Sequence, residues 1–208
     1  MTAFPTDPIR SLRDIEALET RMPDLMAGQR STYALLSQGA KIRPDGPALS
    51  FFLRTEDHHR PYVWTHRQWM AKITQAANMF RQLGVQRGDV VAFVLPNLPE
   101  THWIIWGGEA AGIVFAINPL LEPAMLLDLL KAARPQWIVT LAPTPGADLW
   151  DKVAGIAPQV PGLKGVLSIS PLRYLRHPLA PALRLVNRLK TPSRMGPVPV
   201  LDFHRQLD

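Results

Sequence analysis

The residues of this chain whose types and spacing favour ligand chemistry follow two apolar runs. The first run, VVAFVL, is broken by Pro96-Asn97, and the second, IVFAI, is broken by Asn118-Pro119. If both runs are parallel strands, the breaks lie at the carboxyl ends of neighbouring strands, where open α/β sheets bind their ligands. The two breaks therefore predict one rim of a ligand crevice.

The stretch PNLPE also has a simpler interpretation as the start of a helix. Asn97 stands where a helix cap is expected, and Glu100 follows three residues later, as in a capping box. Capping accounts for every residue of the stretch, so we expect it to position the rim without taking part in catalysis. From the sequence we assign no catalytic, cofactor-binding or metal-binding residue.

Three histidines, His58, His59 and His66, raise the alternative of a metal site. They lie in and beside the polar stretch RTEDHHR, and no acidic residue is spaced to complete a ligand set on a rigid element. A solvated turn is the favoured interpretation.

The stretch WGGEAAG is not a dinucleotide-binding fingerprint, because it closes a helix before a strand instead of opening one after a strand.

The elements that must hold the rim are predicted from apolar periodicity. Strands are predicted at 48–53, 62–65, 90–95, 113–117, 137–141 and 165–169, and helices near 8–18, 32–37, 66–83, 98–111, 122–133 and 147–156. Helix ends are predicted from an Asp7-Pro8 start, a Ser31 cap, a Thr65/Gln68 capping box and a left-handed Gly84.

This order of elements predicts the fold class. Continuous apolar strands that alternate with amphipathic helices are covered on both faces, which indicates an α/β fold with a doubly wound, mostly parallel sheet and flanking helices. The first two strands form a β-hairpin ahead of that sheet. We divide the chain into an N-terminal helical lead (1–30), an α/β subdomain (31–170) and a basic tail (171–208).

The composition is that of a globular protein without cysteine. Of 208 residues, 47% are hydrophobic and 19% are charged, which suffices for one sizeable core. The lack of cysteine excludes disulfides and thiolate sites and suits the cytoplasm, where we place the protein. The first residues lack the pattern of a secretory signal.

The apolar stretch 103–121 contains Glu109 and Asn118, so two soluble elements explain it better than a membrane span.

The net charge of +6 is concentrated in the last quarter of the chain. Residues 152–208 carry 9 basic and 2 acidic side chains, and no acid lies between Asp151 and Asp202. A short helix there places apolar side chains on one face and Arg184, Arg188 and Lys190 elsewhere. The favoured interpretation is a surface helix packed on the sheet, and peripheral membrane contact through the three basic residues is the alternative. Nucleic-acid binding fits poorly, because the basic residues are not interleaved with aromatic ones.

Two longer stretches, YVWTHRQW…ANMFRQLGVQRGDVVAFVLPNLPE and GGEAAGIVFAINPLLEP, resemble the amino-terminal part of the AMP-forming acyl-CoA synthetases. The matching positions, in order, are Thr65, Leu83, Gly84, Val85, Gly88, Asp89, Pro96, Asn97, Glu100, Ala111, Gly112, Asn118 and Pro119. The resemblance covers about residues 30–170. The wording NLPETHWIIWGGEAAGI is most similar to bacterial fatty-acyl-CoA synthetases.

The resemblance implies a two-step reaction and its reactants. A carboxylate attacks the α-phosphate of ATP to give an acyl-adenylate and pyrophosphate, and coenzyme A then displaces AMP to give a thioester. The implied partners of the complete enzyme are a fatty or other carboxylic acid, ATP, Mg²⁺ and coenzyme A, with no cofactor expected in this chain. The implied fold is the first subdomain of the adenylate-forming enzymes.

The family's phosphate loop has no counterpart in these 208 residues. That loop is a run rich in Ser, Thr and Gly that ends in Pro-Lys, and the nearest stretch here, Pro143–Gly146, has no following lysine. The family's carboxy-terminal catalytic lysine is absent as well. We therefore expect an N-terminal fragment of the ligase that is inactive alone. The alternative is a non-catalytic α/β binding module whose basic tail binds a membrane or a partner.

Overall fold

A computed structural model of the chain describes residues 8–21 and 31–208. The helices are α1 (Leu12–Arg21), α2 (Thr32–Ile42), α3 (His66–Gln82), α4 (Pro99–Ala111), α5 (Pro123–Ala133), α6 (Leu149–Ile156), α7 (Ala180–Lys190) and α8 (Phe203–Leu207). The strands are β1 (Pro47–Phe51), β2 (Tyr62–Thr65), β3 (Val90–Val94), β4 (Ile113–Ile117), β5 (Trp137–Leu141), β6 (Gly165–Ile169), β7 (Arg194–Met195) and β8 (Val198–Asp202).

A six-stranded sheet in the order β4-β3-β5-β6-β8-β7 forms the centre of the described structure. All neighbouring strands are parallel except β7, which pairs with β8 in the antiparallel sense. β5 and β6 are buried along their whole length, as expected of apolar strands covered on both faces. The predicted α/β class with a mostly parallel sheet is thereby confirmed.

The predicted hairpin is confirmed as a separate two-stranded sheet. β1 and β2 pair in the antiparallel sense, and the polar link between them contains a single 3₁₀ turn at Thr55–Asp57. The aromatic side chains of this hairpin pack toward the large sheet, so the hairpin covers part of its carboxyl edge.

Local capping signals explain where α2 and α3 begin and where α3 ends. The Ser31 hydroxyl accepts a hydrogen bond from the Ala34 N–H at 3.1 Å. Thr65 and Gln68 form the predicted capping box, in which each side chain accepts a hydrogen bond from the other residue's backbone N–H. Gly84 has a φ of +82°, the left-handed conformation that ends helices.

The predicted start of α1 is wrong. The helix begins at Leu12 instead of Pro8, because the Asp14 carboxylate accepts hydrogen bonds from the backbone N–H groups of Arg10 and Ser11 and closes the first turn there. Asp7, the predicted cap, lies outside the described residues.

The pair α3 and α4 packs at very short range, and glycine makes this possible. A Cβ atom on Gly107 would lie 2.7 Å from the Ala76 Cβ and 2.7 Å from the Ile73 carbonyl oxygen. The stretch WGGEAAG therefore serves helix packing, which agrees with the interpretation that it is no cofactor fingerprint.

The apolar stretch 103–121 is divided between α4 and β4, and no described helix has the length and hydropathy to cross a bilayer.

Candidate functional site at the carboxyl edge of the sheet

The two strand breaks lie side by side, as the sequence predicts. Val94 is in register with Ile117, so Pro96-Asn97 and Asn118-Pro119 both stand at the carboxyl ends of neighbouring parallel strands. β5, β6 and β8 end at the same edge, because Val94 pairs with Thr140 and Ser168 pairs with Asp202. The carboxyl ends of five parallel strands therefore form one continuous rim.

Glu100 is the chemically notable residue of this rim, and its predicted capping role is wrong. Its side chain is fully buried, at 0% exposure, and points into the protein. The first turn of α4 is closed by Thr101 instead, whose hydroxyl accepts from the Leu98 N–H at 3.2 Å and donates to the Pro96 carbonyl at 2.9 Å. Asn97, the predicted cap, is exposed. The threonine satisfies the backbone groups locally, which leaves the carboxylate free for contacts across the fold.

Tyr174 is the hydrogen-bond donor to that carboxylate. Its phenol donates to Glu100 Oε1 at 2.6 Å, a length typical of a bond to a charged acceptor. Burial raises the pKa of the Tyr174 phenol above its ordinary value, and the neighbouring Glu100 carboxylate raises it further. The phenol therefore stays protonated and keeps donating at any ordinary pH.

An aromatic cluster encloses this hydrogen bond and keeps water away from it. Ring centroids of Phe51, Tyr62 and Trp64 lie 5.0, 5.3 and 6.0 Å from the Tyr174 ring, all in edge-to-face geometry. Trp103 packs edge-on against Trp64 at 6.0 Å. The hairpin thus supplies most of the low-polarity wall around the buried carboxylate.

His204 also lies next to the Glu100 carboxylate. Its Nε2 atom lies 2.9 Å from Glu100 Oε1, without the alignment of a hydrogen bond, and the contact is an ion pair only when the imidazole is protonated. Glu100 Oε2 has no hydrogen-bond partner among residues 8–21 and 31–208. The carboxylate therefore joins the amino end of α4, the turn 171–174 and α8, and it keeps one acceptor atom unused in the described structure.

A cavity of about 360 Å³ adjoins this cluster at the ends of β5, β6 and β8. Its lining includes four arginines, Arg173, Arg184, Arg188 and Arg205, and four hydroxyl side chains, Ser168, Ser170, Thr191 and Ser193, against a single carboxylate, Asp202. Arg184 is already engaged, because its guanidinium donates to three backbone carbonyls. The remaining positive charge makes this cavity favourable for an anionic group and unfavourable for a cation.

The basic helix α7 does not pack on the protein through its apolar face. Its buried residues are Ala180 and Asn187, and the Asn187 amide donates to the Pro143 carbonyl. Leu183 and Leu189 on the apolar face are exposed. The expectation of a surface helix holds, but its leucines are not what attaches it to the sheet.

His58 and His59 lie on a turn of the polar link, as the sequence predicts, whereas His66 is the half-buried first residue of α3. His58 and His59 are exposed on the turn, and their rings contact each other edge-on at 5.5 Å. Within the described part of the chain, no three His, Cys, Asp or Glu side chains are close enough to hold a metal ion. The residues present thus do not fit a Mg²⁺ site, and we derive no step through that ion.

Sequence reasoning missed the Glu100–Tyr174–His204 cluster. Its members are separated by 74 and 30 residues, and no local pattern links them. The one available signal was the position of Glu100 just before the apolar run WIIW, because an acid at the start of an apolar helix must either reach solvent or find a buried partner.

Comparison with known proteins gives one family and a consistent set of relatives. The model of a family described as "AMP-binding enzyme" matches residues 36–183. A marinolic acid–CoA ligase of Pseudoalteromonas sp. (strain SANK 73390) is 29% identical over 156 residues, which is 74% of this chain and 24% of that protein. The human mitochondrial acyl-coenzyme A synthetase ACSM1 is 33% identical over 109 residues, 51% of this chain and 18% of that protein. The chain therefore spans a quarter or less of these relatives.

Solved structures share the fold. An acetoacetyl-CoA synthetase from Streptomyces lividans superposes with a TM-score of 0.63 over 83% of this chain and 24% of its own, at 24% identity. The anthranilate CoA ligase AuaEII, solved in complex with anthranoyl-AMP, gives a TM-score of 0.56 over 67% of this chain and 24% of its own, at 20% identity. At these identities the superpositions show a common fold.

Proposed function

The chain belongs to the family of AMP-binding enzymes whose model its residues 36–183 match, and from this premise we propose that it is the amino-terminal part of an AMP-forming fatty-acid–CoA ligase. The complete enzyme would join a carboxylic acid to AMP and then transfer the acyl group to coenzyme A. ATP, the acid and coenzyme A are its proposed reactants, with Mg²⁺ as cofactor bound by residues other than those described here.

The observation that carries the proposal is the position of the family's two strand-ending motifs. Pro96-Asn97 and Asn118-Pro119 lie together on the rim where open α/β sheets bind ligands. The adjoining cavity has an arginine- and hydroxyl-rich lining that suits the phosphate and carboxylate groups of the proposed reactants.

The fatty-acid class is the finer part of the proposal. Matching relatives are named for acids as different as marinolic acid, 4-coumarate and acetate, so membership of the family is compatible with many acids. The support for a fatty acid is the stretch NLPETHWIIWGGEAAGI, which is most similar to bacterial fatty-acyl-CoA synthetases. In the family the acyl pocket is built mostly by later residues, so this stretch indicates ancestry more than pocket chemistry.

We further propose that the 208-residue polypeptide by itself does not form acyl-adenylates. Adenylation needs closely spaced backbone N–H groups and a lysine around the phosphates, and no Ser/Thr/Gly-rich run ending in Pro-Lys occurs in these residues. The strand ends of the rim would position the site. Residues outside this segment would supply the charge that stabilises the transition state.

A chimaera tests whether this segment functions in a ligase. Residues 36–183 replace the matching segment of the marinolic acid–CoA ligase, and AMP release is measured with acetate, octanoate and palmitate in the presence of ATP, Mg²⁺ and coenzyme A. We expect AMP release that depends on both acid and coenzyme A. A chimaera that is folded by circular dichroism but releases no AMP above the acid-free blank would contradict the proposed function.

Two matched controls complete this experiment. The relative with its own segment restored defines full activity, and the relative with the segment deleted defines the background. The isolated 208-residue chain is assayed in parallel for ATP–pyrophosphate exchange, where no signal above the blank is expected. Exchange by the isolated chain would overturn the proposal that it is inactive alone, whatever the chimaera does.

A further inference from the structure

The face of α7 that points away from the protein is apolar over most of its width. Leu179, Leu185 and Leu189 are 60%, 57% and 76% exposed, and Leu183 and Val186 are exposed as well. At 100° per residue these five positions cover an arc of about 160°. Monomeric proteins rarely expose so continuous an apolar surface without a binding purpose.

The opposite side of α7 is fixed to the protein by polar contacts. The Arg184 guanidinium donates from Nε to the Leu172 carbonyl at 2.9 Å and from Nη2 to the Arg173 carbonyl at 2.8 Å. Asn187 donates to the Pro143 carbonyl, and the Ala180 side chain is buried. These contacts hold the helix in one orientation, so the apolar arc is directed outward by the fold and does not result from a loose helix.

The charge around the arc identifies the chemistry of its partner. Lys190 lies within the arc at the end of the helix, Arg188 borders it, and α7 has no acidic residue. The arc is therefore an apolar strip with Lys190 at its end and Arg188 beside it, in a region with no acid between Asp151 and Asp202. A protein partner with an apolar groove would not require this charge, whereas an anionic lipid surface is complementary to both features.

From these observations we propose that α7 is a peripheral membrane-docking helix that lies on an anionic lipid bilayer. The exposed leucines enter the boundary between headgroups and acyl chains, while Lys190 and Arg188 contact lipid phosphates. Arg184 takes no part, because its donors are used within the protein. This inference is independent of the proposed ligase activity and holds or fails without it.

Co-sedimentation with vesicles tests the proposal on the 208-residue chain. The vesicles are pure phosphatidylcholine, or phosphatidylcholine with 30% phosphatidylglycerol. We expect at least ten-fold stronger partitioning into the anionic vesicles, which weakens when the NaCl concentration is raised from 0.05 to 0.5 M. Hydrogen-exchange protection on binding should be confined to residues 179–190.

Matched variants separate the two contributions. Leu185→Ser with Leu189→Ser should reduce partitioning into both kinds of vesicle at least ten-fold, because it removes two strongly exposed apolar side chains from the arc. Arg188→Glu with Lys190→Glu should abolish the preference for anionic vesicles. Leu120→Ser with Met125→Ser, an exposed apolar pair elsewhere on the protein, is the control and should bind like the original chain.

Three results would overturn the proposal. These are failure of the original chain to sediment with anionic vesicles, binding by the Leu185/Leu189 variant equal to that of the original chain, and equal loss of binding in the Leu120/Met125 control. Light scattering after size exclusion reports the rival occupant, a second copy of the chain. A dimer that dissociates in the Leu185/Leu189 variant, without vesicle binding by the original chain, would assign the arc to self-association instead.

Discussion

The phenol of Tyr174 lies 2.6 Å from Oε1 of Glu100, a carboxylate with no solvent exposure at the amino end of α4. The two residues are 74 positions apart, and the bond joins the carboxyl end of β3 to the turn that follows β6. Burying a carboxylate is costly unless it is hydrogen-bonded. The hydrogen bond from Tyr174 therefore offsets the cost of burying Glu100 at the rim. Because this hydrogen bond satisfies Oε1 of the carboxylate, the aromatic side chains of the hairpin can pack around it.

Replacing Tyr174 by Phe should destabilise the fold while leaving its shape intact. The variant keeps the ring in the aromatic cluster and removes only the donor, which leaves Glu100 Oε1 without its hydrogen-bond donor. We expect the free energy of unfolding to fall by about 1.5–3 kcal/mol, the usual worth of a hydrogen bond to a charged buried group. Urea unfolding followed by tryptophan fluorescence measures it.

Tyr62→Phe is the matched control for that substitution. Tyr62 contributes a ring to the same cluster, 5.3 Å from Tyr174, and its hydroxyl makes no hydrogen bond within residues 8–21 and 31–208. Its removal should change stability by less than about 0.5 kcal/mol. Equal effects of the two substitutions would show that ring packing, and not the hydrogen bond, stabilises the cluster.

The same phenol predicts a loss of stability in alkali. Burial raises the pKa of Tyr174 in the folded state, so above pH 10 the unfolded chain releases this proton and the folded chain keeps it. The stabilising contribution is complete below pH 10 and declines as the pH rises further. The difference in unfolding free energy between the original chain and Tyr174→Phe should therefore shrink from pH 8 to pH 11. A constant difference over that range would contradict the assignment.

The sequence predicted the elements of the sheet because their signals are local. The bounds of β5 and β6 agree with their predictions residue for residue, since each is an apolar run closed by a turn or a proline. The parallel order also followed, because apolar strands and amphipathic helices alternate. The rim motifs were correctly placed for the same reason.

The buried cluster could not be predicted, because its partners are chosen by the tertiary fold. Glu100 had the spacing of a capping residue, and only the structure shows that Thr101 closes the turn instead. For α7, periodicity identified the apolar face but not which face contacts the protein. That choice depends on Arg184 and Asn187 finding carbonyl acceptors on distant segments.

Gly107 should be intolerant of even one added methyl group. An alanine Cβ there would lie 2.7 Å from the Ile73 carbonyl oxygen on α3, and backbone cannot move aside as a side chain can. We expect Gly107→Ala to reduce the free energy of unfolding by about 1–3 kcal/mol, as overpacking usually does. Gly39→Ala in α2 is the control. No atom lies within 4 Å of its added Cβ, so it should be neutral or stabilise by up to about 1 kcal/mol.

Arg184→Gln should loosen α7 without unfolding the sheet. The substitution removes donors to the carbonyls of Leu172 and Arg173, and because the side chain is exposed the expected loss of global stability is only about 1 kcal/mol. Amide exchange should accelerate in residues 172–190 and stay unchanged in β5 and β6. Arg188→Gln, which removes a charge from the same helix without such contacts, should leave the exchange of α7 unchanged. Uniform acceleration across the sheet would contradict the proposed anchoring role.

His102 should make the fold less stable in mild acid. Desolvation by its half-buried position on α4 lowers its pKa below the ordinary value of 6.5. Between pH 6.5 and its lower folded-state pKa, the unfolded chain binds this proton and the folded chain does not, so stability falls as the pH falls. Urea unfolding at pH 7.5 and pH 5.0 should show a smaller loss in His102→Gln than in the original chain. His59→Gln, on the exposed turn, serves as the control and should keep the original loss. An unchanged pH dependence in His102→Gln would show that other groups cause it.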